Sequence, residues 1–182
     1  MNKNLKILIN KLPKLKESFE ELVKREVLVG VPSDKAARKE KDAPSNAMLA
    51  YIHDNGSPAR NIPARPFMKP GIEKVKGDIE QVMKIGATSC LDGEKSGGDR
   101  ALVRAGLIAQ ASIRSVINEG IDPALAASTL RGRIRARRGA KGAKAELANR
   151  AAGLGESATG SAKPLIVTGQ LRNSINFVIR EK

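Results

Sequence analysis

Apolar positions near the N-terminus recur at steps of three and four: Leu5, Leu8, Leu12, Leu15, Phe19 and Leu22. That spacing predicts an amphipathic helix with Lys and Glu on its other face. Pro13 falls inside the stripe. A proline removes a backbone donor and clashes with the preceding turn, so a kink or restart is predicted there. The stripe is too short for a convincing coiled-coil seam, and packing on the chain's own sheet is the expected role. The period then changes to two. Val27, Val29 and Val31 alternate with Leu28 and Gly30, which predicts a half-buried strand ended by Pro32. A second alternation sets Ile175, Phe177 and Ile179 against Asn176, Val178 and Arg180, and predicts the partner strand.

Between the two strands the pattern is helical. Residues 33–46 mix both charges without an apolar period and read as a solvated loop or the tip of a long hairpin. Ser45 or Asn46 is placed to cap a short helix that Asn55-Gly56 stops. Pro70 suits the first turn of another helix, with Ile72, Val75, Ile79, Val82 and Met83 as its buried stripe. Asp99 is a suitable N-cap for a third. That helix carries apolar or small residues nearly all round, from Leu102 through Ala105, Gly106 and Ala109 to Ile113 and Ile117, and Gly120 stops it. Such a helix is expected to be central.

Residues 131–144 read RGRIRARRGAKGAK, seven positive charges with no acidic residue. An Ala-, Gly- and Ser-rich stretch follows. Self-repulsion and glycine entropy argue against a packed element, so 131–163 is expected to be an extended arm or long loop. Thr168 then caps a turn through Gln170 and Leu171. The predicted fold class is α+β: a small antiparallel sheet packed by helices on one face, with an extended basic arm. One domain is expected over 1–182, divided into an N-terminal helix (1–26), a core (27–130), the arm (131–163) and a C-terminal turn and strand (164–182).

Composition sharpens this picture. Of 182 residues, 41% are hydrophobic but only 2% aromatic. The core must therefore be aliphatic, and stacking platforms for nucleic-acid bases are scarce. The formal net charge of +14 implies an acidic partner: nucleic acid, an anionic membrane or an acidic protein surface. No apolar stretch reaches the length of a bilayer span, and no membrane partner is expected. The basic start resembles a signal peptide, but Asn10 and Lys11 interrupt its apolar run, and that reading is rejected. Cys90 is the single cysteine, which excludes an internal disulfide and suits synthesis in a cytoplasm.

Candidate chemistry is sparse. His53 and Cys90 are the only His and Cys, too few and too far apart for a zinc site. Cys90 has no adjacent basic residue to activate it. The stretch GEKSGGD lacks the spacing of a phosphate loop. No catalytic residues, metal or cofactor are expected, and the chain is read as a non-enzyme. The serious competitor is nucleic acid. Arg131, Arg133, Arg135, Arg137, Arg138, Lys141 and Lys144 are the expected contacts of the arm, either to phosphates non-specifically or to an acidic protein neighbour.

The densest geometry-fixing residues lie elsewhere. In NIPARPF, Pro63 and Pro66 hold Ile62 and Arg65 extended, so the segment is expected to be a stiff edge strand or strap. Phe67 is placed to plug the core. Arg65, presented between two prolines, is expected to clamp a carboxylate, within the subunit or across an interface. Thr168 and Gly169 make a sharp turn that returns the last strand to the sheet.

Together these stretches resemble virion-morphogenesis proteins of tailed bacteriophages: the neck, tail-completion and tail-terminator proteins of long-tailed phages, including Mu-like ones. The similar pattern runs from His53 and Gly56 through Ile62–Phe67 to Thr168, Gly169, Leu171, Ser174 and Ile175. It spans roughly 20–128 and 163–182 and leaves the basic stretch unmatched. The resemblance implies a structural virion protein that forms a homo-oligomeric ring, typically sixfold, at the head–tail junction through which DNA passes. Its implied partners are copies of itself and the adjacent connector and tail-tube proteins. A tail terminator or minor tail component is the neighbouring alternative within that class. A basic nucleic-acid-binding protein is the alternative outside it.

Overall fold

A computed structural model describes residues 13, 16–17, 20, 23–32, 44–94 and 96–182. Pro13, Lys16, Glu17, Glu20, Val23 and Lys24 have helical backbone. The apolar stripe from Leu5 to Leu22 and the loop at 33–43 lie outside the described residues. The ordered elements are β1 (Arg25–Gly30), α1 (Asn46–Asn55), a 3-10 turn (Pro58–Arg60), α2 (Met68–Glu73), α3 (Lys76–Leu91), α4 (Gly97–Glu119), α5 (Ala127–Arg135), α6 (Ala140–Ala151), α7 (Gln170–Ser174) and β2 (Asn176–Glu181). The fold is α+β, with the two strands forming one small antiparallel sheet.

The chain divides into two compact units. The first comprises residues up to Val29, Val75–Ala109 and Phe177–Lys182. In it the Lys182 N–H donates to the Lys24 carbonyl at 2.7 Å. This register is consistent with Glu26 facing Arg180, and those two form an ion pair at 2.7 Å. Arg25 pairs with Asp99. Phe177 packs on α4 at Gly106, where a Cβ would come within 2.4 Å of the ring. Helix α3 meets the same helix at Gly86, where a Cβ would lie 2.2 Å from that of Ala101. Small residues thus permit the close approaches that an aliphatic, aromatic-poor core requires. Cys90 is buried and its Sγ accepts from the Gly98 N–H at 3.0 Å. Helix α4 begins at Gly97, so Asp99 lies in its first turn instead of capping it.

The expected single helix from Pro70 is two helices. Turn residues Lys74 and Val75 separate α2 from α3, and Ile72, assigned to the buried stripe, is exposed. The reason lies in α2's own contacts. Gly71 abuts α4 so closely that a Cβ would come 2.7 Å from Ile113 Cα, and Ser112 Oγ donates to the Gly71 carbonyl at 2.6 Å. The face that meets α4 is therefore set by glycine, one residue away from Ile72.

The second unit comprises Gly30–Lys74 and Gln110–Asn176. Phe67, Ile113, Ile117, Leu130 and Ile175 are fully buried in it. Residues 131–163 are not an extended arm. They contribute most of a helical hairpin, α5–α6, followed by a folded coil. Leu125, Leu130, Ala143 and Ala162 form its core, with Ile134 and Leu147 packed against them. Leu130 and Ile134 stand four apart on α5, as do Ala143 and Leu147 on α6, so each helix has an apolar stripe narrow enough to be hidden among the cations. Glu146 completes the fold. It is buried, pairs with Arg150 Nε at 3.3 Å and accepts the Ser157 N–H at 3.2 Å. Arg150 also donates to the Leu125 carbonyl and pairs with Glu156, each at 2.8 Å. Repulsion within the basic run is relieved because most of its side chains point to water, while the coil after α6 is tied down by this network.

Candidate functional site

The stretch from α1 to α2 is built from local restraints. Ser45 caps α1, accepting from the Met48 N–H at 3.1 Å. Gly56 ends that helix at φ 79°, and a Cβ there would lie 2.8 Å from the Ala64 nitrogen. Both the backbone angle and the contact require glycine. Ser57 and Ile62 then exchange backbone hydrogen bonds at 2.8 and 3.0 Å, closing a small loop around the 3-10 turn, with Asn61 left-handed at φ 53°. Beyond it the chain runs extended to Phe67 as a strap. It is not a strand of the sheet; it is fastened to α1. The Arg65 N–H donates to the His53 carbonyl at 2.7 Å. Asp54 Oδ1 accepts from the Phe67 and Met68 N–H groups at 2.8 and 3.1 Å. The aspartate thereby satisfies donors at the start of α2 that have no partner within the helix.

The strap sets Phe67 fully inside, and it also buries Arg65, which is only 6% exposed. Its partners differ from expectation. Nε donates to the Pro123 carbonyl at 2.9 Å and Nη2 to the Ala124 carbonyl at 3.2 Å. Arg65 is therefore an internal clamp on two backbone carbonyls, and no carboxylate pairs with it among the described residues. The loop at 121–126 leaves those carbonyls without helical partners, and a planar fork fits two adjacent acceptors.

The C-terminal motif also differs in detail. Gly169 is left-handed at φ 75° and begins α7, a short helix that stands between the turn and the last strand. Thr168 Oγ1 accepts from the Gln170 N–H at 3.4 Å. Leu171, Ser174 and Ile175 are buried. The Ile175 carbonyl accepts from Gln110 Nε2 at 2.9 Å and Arg114 Nη2 at 2.6 Å. Strand β2 starts at Asn176, one residue later than the alternation suggests, because Ile175 belongs to this buried anchor.

These stretches converge on one groove of about 670 Å³, wholly within the second unit. The strap contributes Ile62, Pro63 and Arg65; the C-terminal turn contributes Thr168, Gly169 and Leu171; the basic stretch contributes Arg133 and Arg138. Among the other predicted contacts, Arg131, Arg135, Arg137, Lys141 and Lys144 are exposed and do not line it. Pro66 is also outside it, and exposed.

The groove is electropositive. Burial lowers the pKa of Arg65, and burial together with the nearby Arg65 charge lowers that of Arg133, which donates Nη1 to the Lys163 carbonyl at 3.2 Å. His53 lines the same groove, and its pKa is lowered first by burial and then by Arg65. The imidazole is thus held neutral beside permanent cations. Among the described residues no Asp or Glu lines the groove. Sequence reasoning gave His53 a place only in the motif that carries the resemblance and read Gln170 only as part of the turn after Thr168. It passed over Asp54. His53 Nδ1 and Gln170 Oε1 are buried without a hydrogen-bond partner among the described residues. The sequence signal for Asp54 was its place near the end of α1, just before a strap whose N–H groups need acceptors.

Among the described residues no group of His, Cys, Asp and Glu could hold a metal ion, and no helix is long and apolar enough to cross a membrane. An uncharacterized protein of Methanocaldococcus jannaschii is 40% identical to this chain over 40 residues, which is 22% of this chain and 30% of that protein. The match thus spans less than a third of that relative's length. No family model and no solved structure matches the chain.

Proposed function

We propose that this chain is a non-catalytic structural protein of a tailed-phage virion, a subunit of a ring at the head–tail junction. The observation that supports this reading is convergence. Of the residues that carry the resemblance, His53, Ile62, Pro63, Arg65, Thr168, Gly169 and Leu171 are far apart in sequence yet line one groove, whereas Gly56, Ala64, Pro66, Phe67, Ser174 and Ile175 do not. Their motifs then describe a single shaped surface, as a repeated building block needs. In this reading the ring is homo-oligomeric and closes through heterologous contacts, in which two different patches of each subunit meet. Sixfold closure, connector and tail-tube neighbours, and passage of DNA come with the resemblance. Quantitative mass spectrometry of purified particles should find several copies of this chain per particle. A single copy, or its absence from particles, overturns the reading.

A second reading is favoured by a different observation. Six of the seven cations at 131–144 are exposed: Arg131, Arg135, Arg137, Arg138, Lys141 and Lys144. A preformed cationic surface of this kind suits non-specific phosphate contact. In that case the isolated monomer binds duplex DNA saturably, with affinity that falls steeply as salt rises.

A further inference from the structure

We infer that the groove of the second unit is a nucleotide site, in which His53 and Gln170 hydrogen-bond the edge of the base and Arg133 meets the phosphate. The inference does not depend on the virion reading. It rests on two polar atoms that the fold itself does not use. His53 Nδ1 and Gln170 Oε1 are buried, have no hydrogen-bond partner among the described residues and do not bond each other. Both residues line the groove, and the helices that carry them, α1 and α7, pack together. The other two such atoms, Asn46 Oδ1 and Arg114 Nε, belong to residues that do not line it. The backbones of His53 and Gln170 serve the fold without help from these side chains. The His53 carbonyl accepts the Arg65 N–H at 2.7 Å, and the Gln170 N–H donates to Thr168 Oγ1 at 3.4 Å. A buried polar atom left unpaired costs stability, so two of them in one groove are best explained by a ligand that pairs them.

Their chemistry describes that ligand. Gln170 Oε1 can only accept, so the ligand must present an N–H or O–H donor. A neutral imidazole offers one donor and one acceptor, so His53 suits either partner beside it. A nucleobase carries a donor next to an acceptor on one rigid edge. Bases are also taken up on histidine rings and guanidinium planes. Leu49, Ile62 and Leu171 give the groove aliphatic walls for the faces of such a ring. Arg133 supplies the second half. Only its Nη1 is engaged, with the Lys163 carbonyl, which leaves donors of a permanent cation for a phosphate. The volume of about 670 Å³ lies within the usual range of ligand sites, about 300–1,000 Å³.

The test is isothermal titration calorimetry on the full chain with AMP, GMP, CMP and UMP in turn, with ribose 5-phosphate and a tetraalanine amide as comparisons. At least one nucleotide should bind saturably, and at least tenfold more tightly than ribose 5-phosphate. Gln170→Leu and His53→Phe should each weaken it about tenfold, the loss expected for one hydrogen bond, and neither should lower the thermal midpoint. Lys141→Ala, outside the groove, should leave the affinity unchanged. An oligonucleotide of the preferred base then names the source: displacement that depends on Gln170 assigns a unit within a strand, and no displacement assigns a free nucleotide. The inference fails if no nucleotide binds, if ribose 5-phosphate binds as tightly, or if the peptide amide binds and the nucleotides do not. It fails equally if Gln170→Leu lowers the thermal midpoint, since the amide then serves the fold. Should His53→Phe not fold, the Gln170 variant alone decides.

Discussion

The strap at 56–67 and the basic hairpin at 127–163 meet at the same groove, yet they are shaped by opposite means. The strap is governed by near neighbours in sequence: Gly56 turns the chain, Ser57 and Ile62 close the loop, and Asp54 fastens its far end. The hairpin depends on more distant contacts. Arg150 reaches the Leu125 carbonyl, Arg133 reaches the Lys163 carbonyl, and Gly142 lies so near Ser161 that a Cβ would come 2.1 Å from its carbonyl oxygen. Rigidity in the first comes from restricted dihedrals. In the second it comes from a small aliphatic core and one buried acid among many cations. A run of like charge therefore does not decide whether a segment is ordered. What decides is whether a few apolar positions share a face and whether the buried polar groups find partners.

The sharpest way to break the comparison is at Glu146. Glu146→Ala leaves the Arg150 guanidinium, itself mostly buried, without its inner partner, and removes the acceptor of the Ser157 N–H. Breaking a buried pair from one side typically costs about 3–5 kcal/mol. Urea unfolding should register that loss, and hydrogen exchange should show amides after α6 losing protection first. Unchanged stability and exchange would mean that the apolar contacts alone hold the hairpin.

The matching change in the strap is Phe67→Ala. Removing a fully buried ring should cost about 3–5 kcal/mol by the same denaturation measurement. The pattern of exchange should differ, however. The hydrogen bonds of the Ser57–Ile62 loop involve no part of Phe67, so that loop should keep its protection while α2 and the adjoining part of α4 lose theirs. A variant in which the loop amides exchange first would show that the strap is held by its plug and not by its own restraints.

Arg65→Ala comes next in size. Its loss strands the Pro123 and Ala124 carbonyls, at about 1–3 kcal/mol for buried groups left unpaired. The monomer should be measurably destabilised, which an exposed interface arginine would not produce. Lysine at this position should recover only part of the loss, because a single ammonium cannot reproduce the planar fork.

Much of this was legible in the sequence where a residue type has one use. A cap at Ser45 or Asn46, Gly56 and Gly120 as stops, Phe67 as a plug and the two alternating strands all express local chemistry. Arg65 was legible as a clamp but not in its acceptors, since backbone carbonyls carry no sequence signature. The hairpin was hidden because its stripe is short and flanked by seven cations, and because Glu146 looks like any solvated glutamate until Arg150 and Ser157 surround it. The groove was hidden for a further reason: its three walls are far apart along the chain, and only tertiary packing brings them together.

His53 offers the finest test, and one that separates the strap side of the groove from the hairpin side. Burial and the Arg65 charge hold its pKa below the ordinary 6.5. The unfolded chain takes up a proton near that ordinary value, whereas the folded chain resists protonation until lower pH. Between the two values the unfolded state binds more protons, so stability falls as the pH is lowered from about 6.5 and levels off below the folded pKa. His53 is the only histidine in the chain. No other side chain has an ordinary pKa in that interval, so the slope just below 6.5 is assigned to this one imidazole. Urea midpoints measured across the interval should decline for the parent protein and stay flat for His53→Gln. Arg133→Gln should reduce the slope little, because Arg133 is not among the causes of the His53 shift, whereas Arg65→Gln should reduce it clearly. Equal reduction by both would mean that the hairpin cation reaches His53 as strongly as the strap cation. The groove would then act as one electrostatic unit, and the contrast between its two sides would hold for backbone shape alone.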